Sequence, residues 1–351
     1  MKNLVLSAVL LFSFQGEAQL ETVVDGLNSP IGISFNNDLL YIAEFKANHI
    51  SAVRYNSELP QTRIILKGLN APVDVIIRDD ILFLSEFGSK KVSMLSINEA
   101  GPESFPQDIA LNLEAPTGIA LHGRYLYIAE FDGNKISRTD ITLDKPNNED
   151  FITNLDGPTA LLEYDGYLYF TERKSGTISR VDISSTGFGD VEVLITGLDR
   201  PVGLEVRKST LYFTEMGNNY ISKVDFESHF SKPTVLTEVI DKGARIKILG
   251  DDLYISQRYS GDILRFSLLQ LGLGERSGIS EMAVYPNPTK QYISLNDVFT
   301  YADIQVLSAK GEVLLVKELK PGEKIDLGNL KEGIYFLRIN DIETVRIQKV
   351  D

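Results

Sequence analysis

Pro30-Ile-Gly-Ile33, Leu40-Tyr-Ile-Ala-Glu44 and Asn48-His-Ile50 form a pattern that returns five more times, with substitutions, along the chain. Its anchors are Pro30, Pro72, Pro116, Pro158 and Pro201, with Gly243 in the sixth place. Fourteen residues after each anchor stands Glu44, Glu86, Glu130, Glu172, Glu215 and then Gln257. Three residues before each of those is an aromatic: Tyr41, Phe83, Tyr127, Tyr169, Tyr212 and Tyr254. Six residues after each is Ile50, Val92, Ile136, Ile178, Ile221 or Ile263. Fixed internal offsets at a spacing of 42 to 44 residues specify one supersecondary unit per copy, and short alternating runs make that unit a four-stranded blade.

Within the first copy, Ile31–Phe35 reads as an inner strand, Leu39–Ala43 as the second and Ile50–Arg54 as the third. Arg63–Leu66 reads as the outer strand. An outer run precedes each of the six anchors, beginning with Thr22–Val24, but none follows Ile263–Ser267. Thr22–Val24 is therefore expected to complete the sixth blade, which removes both free edges of the array. The expected fold class is all-β: a six-bladed β-propeller over residues 19–270, followed by a small C-terminal sandwich.

The repeats resemble NHL-type propeller blades, whose pattern is Pro-x-Gly-aliphatic, Leu-Tyr-x-Ala-acid and Asn-His/Arg-Ile. The third copy carries it as Pro116-Thr-Gly-Ile119, Leu126-Tyr-Ile-Ala-Glu130 and Asn134-Lys-Ile136. Glu stands here where Asp is commoner, and the sixth copy lacks the Pro, the Gly and the acid. The resemblance implies a fold and no particular function, because propellers carry many activities.

The ends speak of export. Lys2, the apolar run Leu4 to Phe14 and Gly16-Glu17-Ala18 read as a signal peptide over residues 1–18. That run is too short to span a bilayer, and no transmembrane segment is expected in the mature chain. A Gly-rich linker, 271–281, leads to short alternating runs over 282–351, the pattern of a small β-sandwich of Ig-like type. Tyr285-Pro-Asn-Pro288, Gly311 between two strands, Asp326-Leu327 with Leu330, Gly333-Ile-Tyr-Phe-Leu337 and Arg346-Ile-Gln-Lys349 resemble the C-terminal sorting domain of the type IX secretion system of Bacteroidota. The ending Lys349-Val350-Asp351 departs from the usual basic finish. The resemblance implies partnership with that machinery through residues 282–351 and a secreted or outer-surface location.

Composition narrows the chemistry. The 351 residues carry a net charge of -14, which repels phosphate backbones, so no nucleic-acid partner is expected. There is no Cys, hence no disulfide and no thiolate nucleophile or ligand. The three His residues, His49, His122 and His229, form no motif with a nucleophile or a metal pair. Asp132-Gly133-Asn134 matches only a fragment of a calcium loop. No cofactor, metal site or catalytic residue is assigned, and the Glu series is read as architectural.

Candidate binding residues come from breaks in the repeat. Two residues after the anchors run Gly32, Asp74, Gly118, Ala160, Gly203 and Arg245. The small residues are expected to leave space at one channel mouth. Asp74 and Arg245 break the series with opposite charges, as a closing salt bridge or as part of a polar site. Loops between second and third strands should surround the same mouth. They offer Phe45, Phe87 and Phe131 as stacking surface or core, and Lys46, Arg173 and Arg258 as contacts for anionic or hydroxyl groups. The favoured function is a secreted or surface module capturing a protein or glycan ligand. The first alternative is a metal-dependent enzyme of the six-bladed lactonase or lyase type, although the first-strand Glu pattern of that family is missing. The second is a structural spacer.

Overall fold

The computed structural model describes residues 20–57, 59–143, 148–184, 191–226, 233–237 and 240–268, and in the C-terminal part 284–285, 289–295, 302–308, 312–319, 324–339 and 343–350. The expected signal peptide (1–18), the expected linker (271–281), His229, Pro286–Pro288 and Gly311 lie outside these residues. The chain divides into two compact units, Met1–Gly274 and Glu275–Asp351.

In the first unit the described strands form six four-stranded antiparallel sheets, numbered here by their inner strands in chain order. The inner strands are Pro30–Asn36, Pro72–Arg78, Pro116–His122, Pro158–Tyr164, Pro201–Arg207 and Gly243–Leu249. Each touches the next, and the sixth touches the first, so the ring is closed. Sheet 6 borrows its outer strand from the other end: Leu20–Val24 pairs with Asp262–Ser267, Leu20 opposite Phe266 and Glu21 opposite Arg265. This is the β-propeller arrangement.

The repeated residues explain why each sheet forms and packs. The six aromatics are at most 8% exposed and the six aliphatics of the third strand are wholly buried. Tyr41 shares a buried cluster with Val75, Leu82 and Leu84 of sheet 2, and Tyr254 with Ile33, Leu40 and Ile42 of sheet 1. Each aromatic thus seals one sheet against its neighbour, which is where large flat side chains bury the most area. Between second and third strands, Asn48, Lys90, Asn134, Gly176, Asn219 and Gly261 all take positive φ, a conformation open to Gly and tolerated by Asn.

Gly32 and Gly203 correct one sequence expectation. A Cβ on Gly32 would lie 2.6 Å from Asp74 Cα, and one on Gly203 2.7 Å from Ala244 O. These glycines allow neighbouring inner strands to approach closely; they do not hold channel space open. Gly118 does both, since a Cβ there would lie 2.4 Å from Thr159 O and 2.9 Å from Arg245 Nη2.

The second unit contains a three-stranded sheet, ordered Val284–Tyr285, Tyr292–Leu295, Ile325–Asp326, and a four-stranded sheet, ordered Val313–Leu319, Ala302–Ser308, Gly333–Ile339, Glu343–Lys349. They share one core of Ile293, Ile325 and Leu327 with Ile304, Val306, Leu337 and Ile347. Alternation in the strands places these residues on inner faces.

Candidate functional site

The Glu series is a set of clamps. In each sheet the side chain accepts the backbone N–H sixteen residues upstream, in the segment leading to the anchor. Asn28 N–H donates to Glu44 at 2.8 Å, Asn70 to Glu86 at 2.8 Å, and Glu114 to Glu130 at 2.7 Å. Asp156 donates to Glu172 at 2.8 Å, Asp199 to Glu215 at 2.9 Å, and Asp241 to Gln257 at 3.1 Å. In sheets 1 to 4 the third-strand residue opposite the clamp also meets it: His49 at 2.9 Å from Glu44, Lys91 at 3.5 Å from Glu86, Lys135 at 3.9 Å from Glu130, and Thr177 donating to Glu172 at 2.9 Å. Opposite Gln257 stands Asp262. A carboxylate in the sixth position would face a like charge, and the amide keeps the acceptor without it.

With the clamps fixing the loops, two columns of side chains meet at one mouth of the ring. One residue after the anchors are Ile31, Val73, Thr117, Thr159, Val202 and Ala244; one residue after the clamps are Phe45, Phe87, Phe131, Arg173, Met216 and Arg258. All twelve, with Arg245, line a cavity of about 180 Å³. The three Phe residues are neither an exposed patch nor closed core: they are half-buried walls, with Phe45 and Phe87 packed on Ile31, Val73 and Ala244. Sheets 1 to 3 therefore supply an aromatic half, and sheets 4 to 6 supply Arg173, Met216 and Arg258.

The halves meet at two cation–π seams. Arg258 lies 4.9 Å from the Phe45 ring centre and Arg173 lies 5.7 Å from that of Phe131. Among the described residues neither arginine is ion-paired with an Asp or Glu. Burial, with Arg258 and Arg200 nearby, holds the Arg173 guanidinium below the ordinary arginine value. A cation so placed is short of solvent and of counter-charge.

Arg245 and Asp74 form the floor. Arg245 Nη2 is 3.4 Å from Asp74 Oδ2, and the two side chains are 8% and 10% exposed. The guanidinium also donates to Thr159 O at 3.0 Å and to Val202 O. Asp74 accepts from Val75 N–H and Ile119 N–H, each at 3.1 Å. One side chain from sheet 6 thereby reaches sheets 2, 4 and 5. Beyond it, Lys247 pairs with Glu205 at 3.0 Å.

The sequence candidates sort as follows. Phe45, Phe87, Phe131, Arg173, Arg258 and Arg245 converge on the cavity. Asp74 sits under it, and Lys46 is exposed and does not line it. Residues directly after the clamps face the mouth, so their successors Lys46, Lys174 and Tyr259 face outward. Met216, Thr117 and Thr159 escaped notice, although the two columns that contain them were already aligned by the anchors. Of the three His residues, His49 serves its clamp and His122 meets Glu163 at 3.3 Å. Asn134 accepts Gly157 N–H at 3.1 Å, which commits its oxygen to the turn rather than to an ion.

A divalent metal fits this channel poorly. Among the described residues no three His, Asp or Glu side chains gather into a ligand set. Two inner-strand carboxylates, Asp74 and Glu205, are each paired with a cation, Arg245 and Lys247.

Comparison with curated proteins by sequence gives no match. Solved structures resemble the chain in fold. One is a nidogen/laminin complex, at 16% identity over 66% of this chain and 89% of that one, with a TM-score of 0.56. Another is a gluconolactonase of Xanthomonas campestris, at 12% identity over 72% and 90%, with a TM-score of 0.58. A third is a catalytically inactive virginiamycin B lyase from Staphylococcus aureus with quinupristin, at 16% identity over 95% and 100%, with a TM-score of 0.51. These identities carry the fold alone, which serves a binding partner and two enzymes alike. Among the described residues no helix is long and apolar enough to cross a membrane. Residues 283–350 match the model of the secretion system C-terminal sorting domain, which directs the protein to the cell surface or the extracellular space by type IX secretion.

Proposed function

We propose that the chain is an exported binding protein whose propeller captures a protein or glycan ligand at the mouth lined by Phe45, Phe87, Phe131, Arg173 and Arg258. The observation that supports this reading most is the division of the cavity into an aromatic half and a half whose two arginines have no carboxylate counter-ion among the described residues. A spacer has no use for two arginines held off carboxylates, since unpaired, partly buried charge only costs stability. The buried Asp74–Arg245 pair lies beneath this cavity, so the ligand is proposed to enter by the mouth.

The enzyme reading of the lactonase or lyase type draws on fold likeness alone. A metal bound through Asp74 or Glu205 would have to displace Arg245 or Lys247.

Glycan-array and pull-down screens with the secreted protein test the proposal. A ligand whose affinity falls about tenfold or more in Arg258→Ala, the loss of a charge-assisted contact, supports it. A ligand indifferent to both Arg258→Ala and Phe87→Ala overturns the placement.

A further inference from the structure

The dimensions and chemistry of the mouth cavity restrict what can fill it. Its volume of about 180 Å³ compares with about 150 Å³ for an apolar protein cavity that accepts benzene. There is room for one six-membered ring and one small substituent, and for little more. Ring faces suit the side where Phe45 and Phe87 lie with centroids 6.3 Å apart and Phe131 continues the wall. On the other side are Arg173 and Arg258, forked planar donors that match a carboxylate in two-point contact. Arg173, with its charge disfavoured by burial and by Arg258, gains most from an anion.

We infer that the cavity takes a single ring bearing one carboxylate, the ring against the phenylalanines and the carboxylate against Arg173 and Arg258. This rests on the mouth being the ligand site. The same chemistry is presented by an aromatic acid and by a uronic acid at the end of a glycan, and the probes separate them.

The test is thermal unfolding and calorimetric titration of the whole secreted protein with benzoate, glucuronate and the neutral isostere benzamide. One acid is expected to raise the unfolding midpoint at concentrations on the order of 1–10 mM, and benzamide is expected to bind about tenfold or more weakly. Benzoate binding identifies an aromatic acid, and glucuronate binding a sugar acid. Arg173→Met and Arg258→Ala, checked for folding by their own midpoints, should each abolish the acid's effect. Phe87→Leu should weaken it with the charge intact. Equal binding of benzamide and benzoate overturns the inference, as does the absence of any effect of either acid up to about 50 mM, a ceiling beyond useful linkage. In that last case, a larger ligand that still needs Arg173 would remove the ring-carboxylate class and keep the mouth site. A ligand that ignores Arg173 would remove both.

Discussion

Arg245 of sheet 6 and Asp74 of sheet 2 meet across the channel at 3.4 Å, although the whole of sheet 1 separates them around the ring. Each is held by further partners: Thr159 O and Val202 O for the cation, Val75 N–H and Ile119 N–H for the anion. Removing one member leaves the other buried and charged. Arg245→Met and Asp74→Leu should each destabilise by about 3–5 kcal/mol in chemical denaturation. The double variant should lose clearly less than the two losses added, by about 1–3 kcal/mol. Additive losses would mean that the pair does not act as a unit.

Arg173 is predicted to trade stability for binding. Its charge is penalised by burial and by Arg258, and among the described residues no carboxylate relieves it. Sheet 5 already places Met216 at the equivalent position, 5% exposed. Arg173→Met should raise the unfolding midpoint by about 2–4 °C, the shift that roughly 1 kcal/mol gives in a domain of this size. Ligand binding should be lost in the same variant. A lowered midpoint would show that Arg173 is structural.

The clamps make a graded prediction. Gln257 shows that an amide oxygen can hold the upstream N–H. Glu172→Gln should therefore cost little, because the hydroxyls of Thr177 and Ser179 can turn to suit an amide. Glu172→Ala leaves Asp156 N–H without its acceptor and should cost about 1–3 kcal/mol. The reverse change, Gln257→Glu, sets a carboxylate opposite Asp262. The two repel only when both are ionised. The penalty should thus be absent in acid and grow as pH rises through the carboxylate range. Denaturation midpoints from about pH 3 to about pH 7, a window that brackets carboxylate values of about 4, would show it.

Lys247 predicts an alkaline effect. Burial pulls its pKa down, but the charge of Glu205 at 3.0 Å, their hydrogen bond and Asp74 outweigh this and leave it above 10.5. A base whose pKa is raised on folding stabilises below its unfolded pKa and loses that contribution as pH passes the folded value. The stability difference between the wild type and Lys247→Met should be constant from neutral pH to about 10 and shrink above it. A difference that is flat at every pH would contradict the pairing.

Much of the fold was legible because six copies hold the same residues at the same offsets. Thr22–Val24 could be placed in sheet 6 from counting alone. The cavity was only half legible. Phe45 and Arg258 were visible as chemistry, but whether a loop side chain turns inward depends on backbone dihedrals that no residue type fixes. Lys46 illustrates this, being one position out of phase with the column that lines the mouth. Glycine was misread for a related reason. Gly32 and Gly203 are small because neighbouring strands approach, a property of the partner strand that their own repeat does not encode.

The borrowed outer strand of sheet 6 also orders events in time. Glu21 and Arg265, 244 positions apart, must meet before the ring has no loose edge. Contacts this distant in sequence form late and slowly, since the intervening loop has to be closed first. As the polypeptide emerges from synthesis, Leu20–Val24 precedes every other described strand of the ring, yet its partner Asp262–Ser267 is made after all the others. Until Ser267 has appeared, the growing molecule keeps two sticky margins and stays vulnerable to mispairing. The sorting segment lies beyond Ser267, so its completion follows the moment at which the ring is first able to shut.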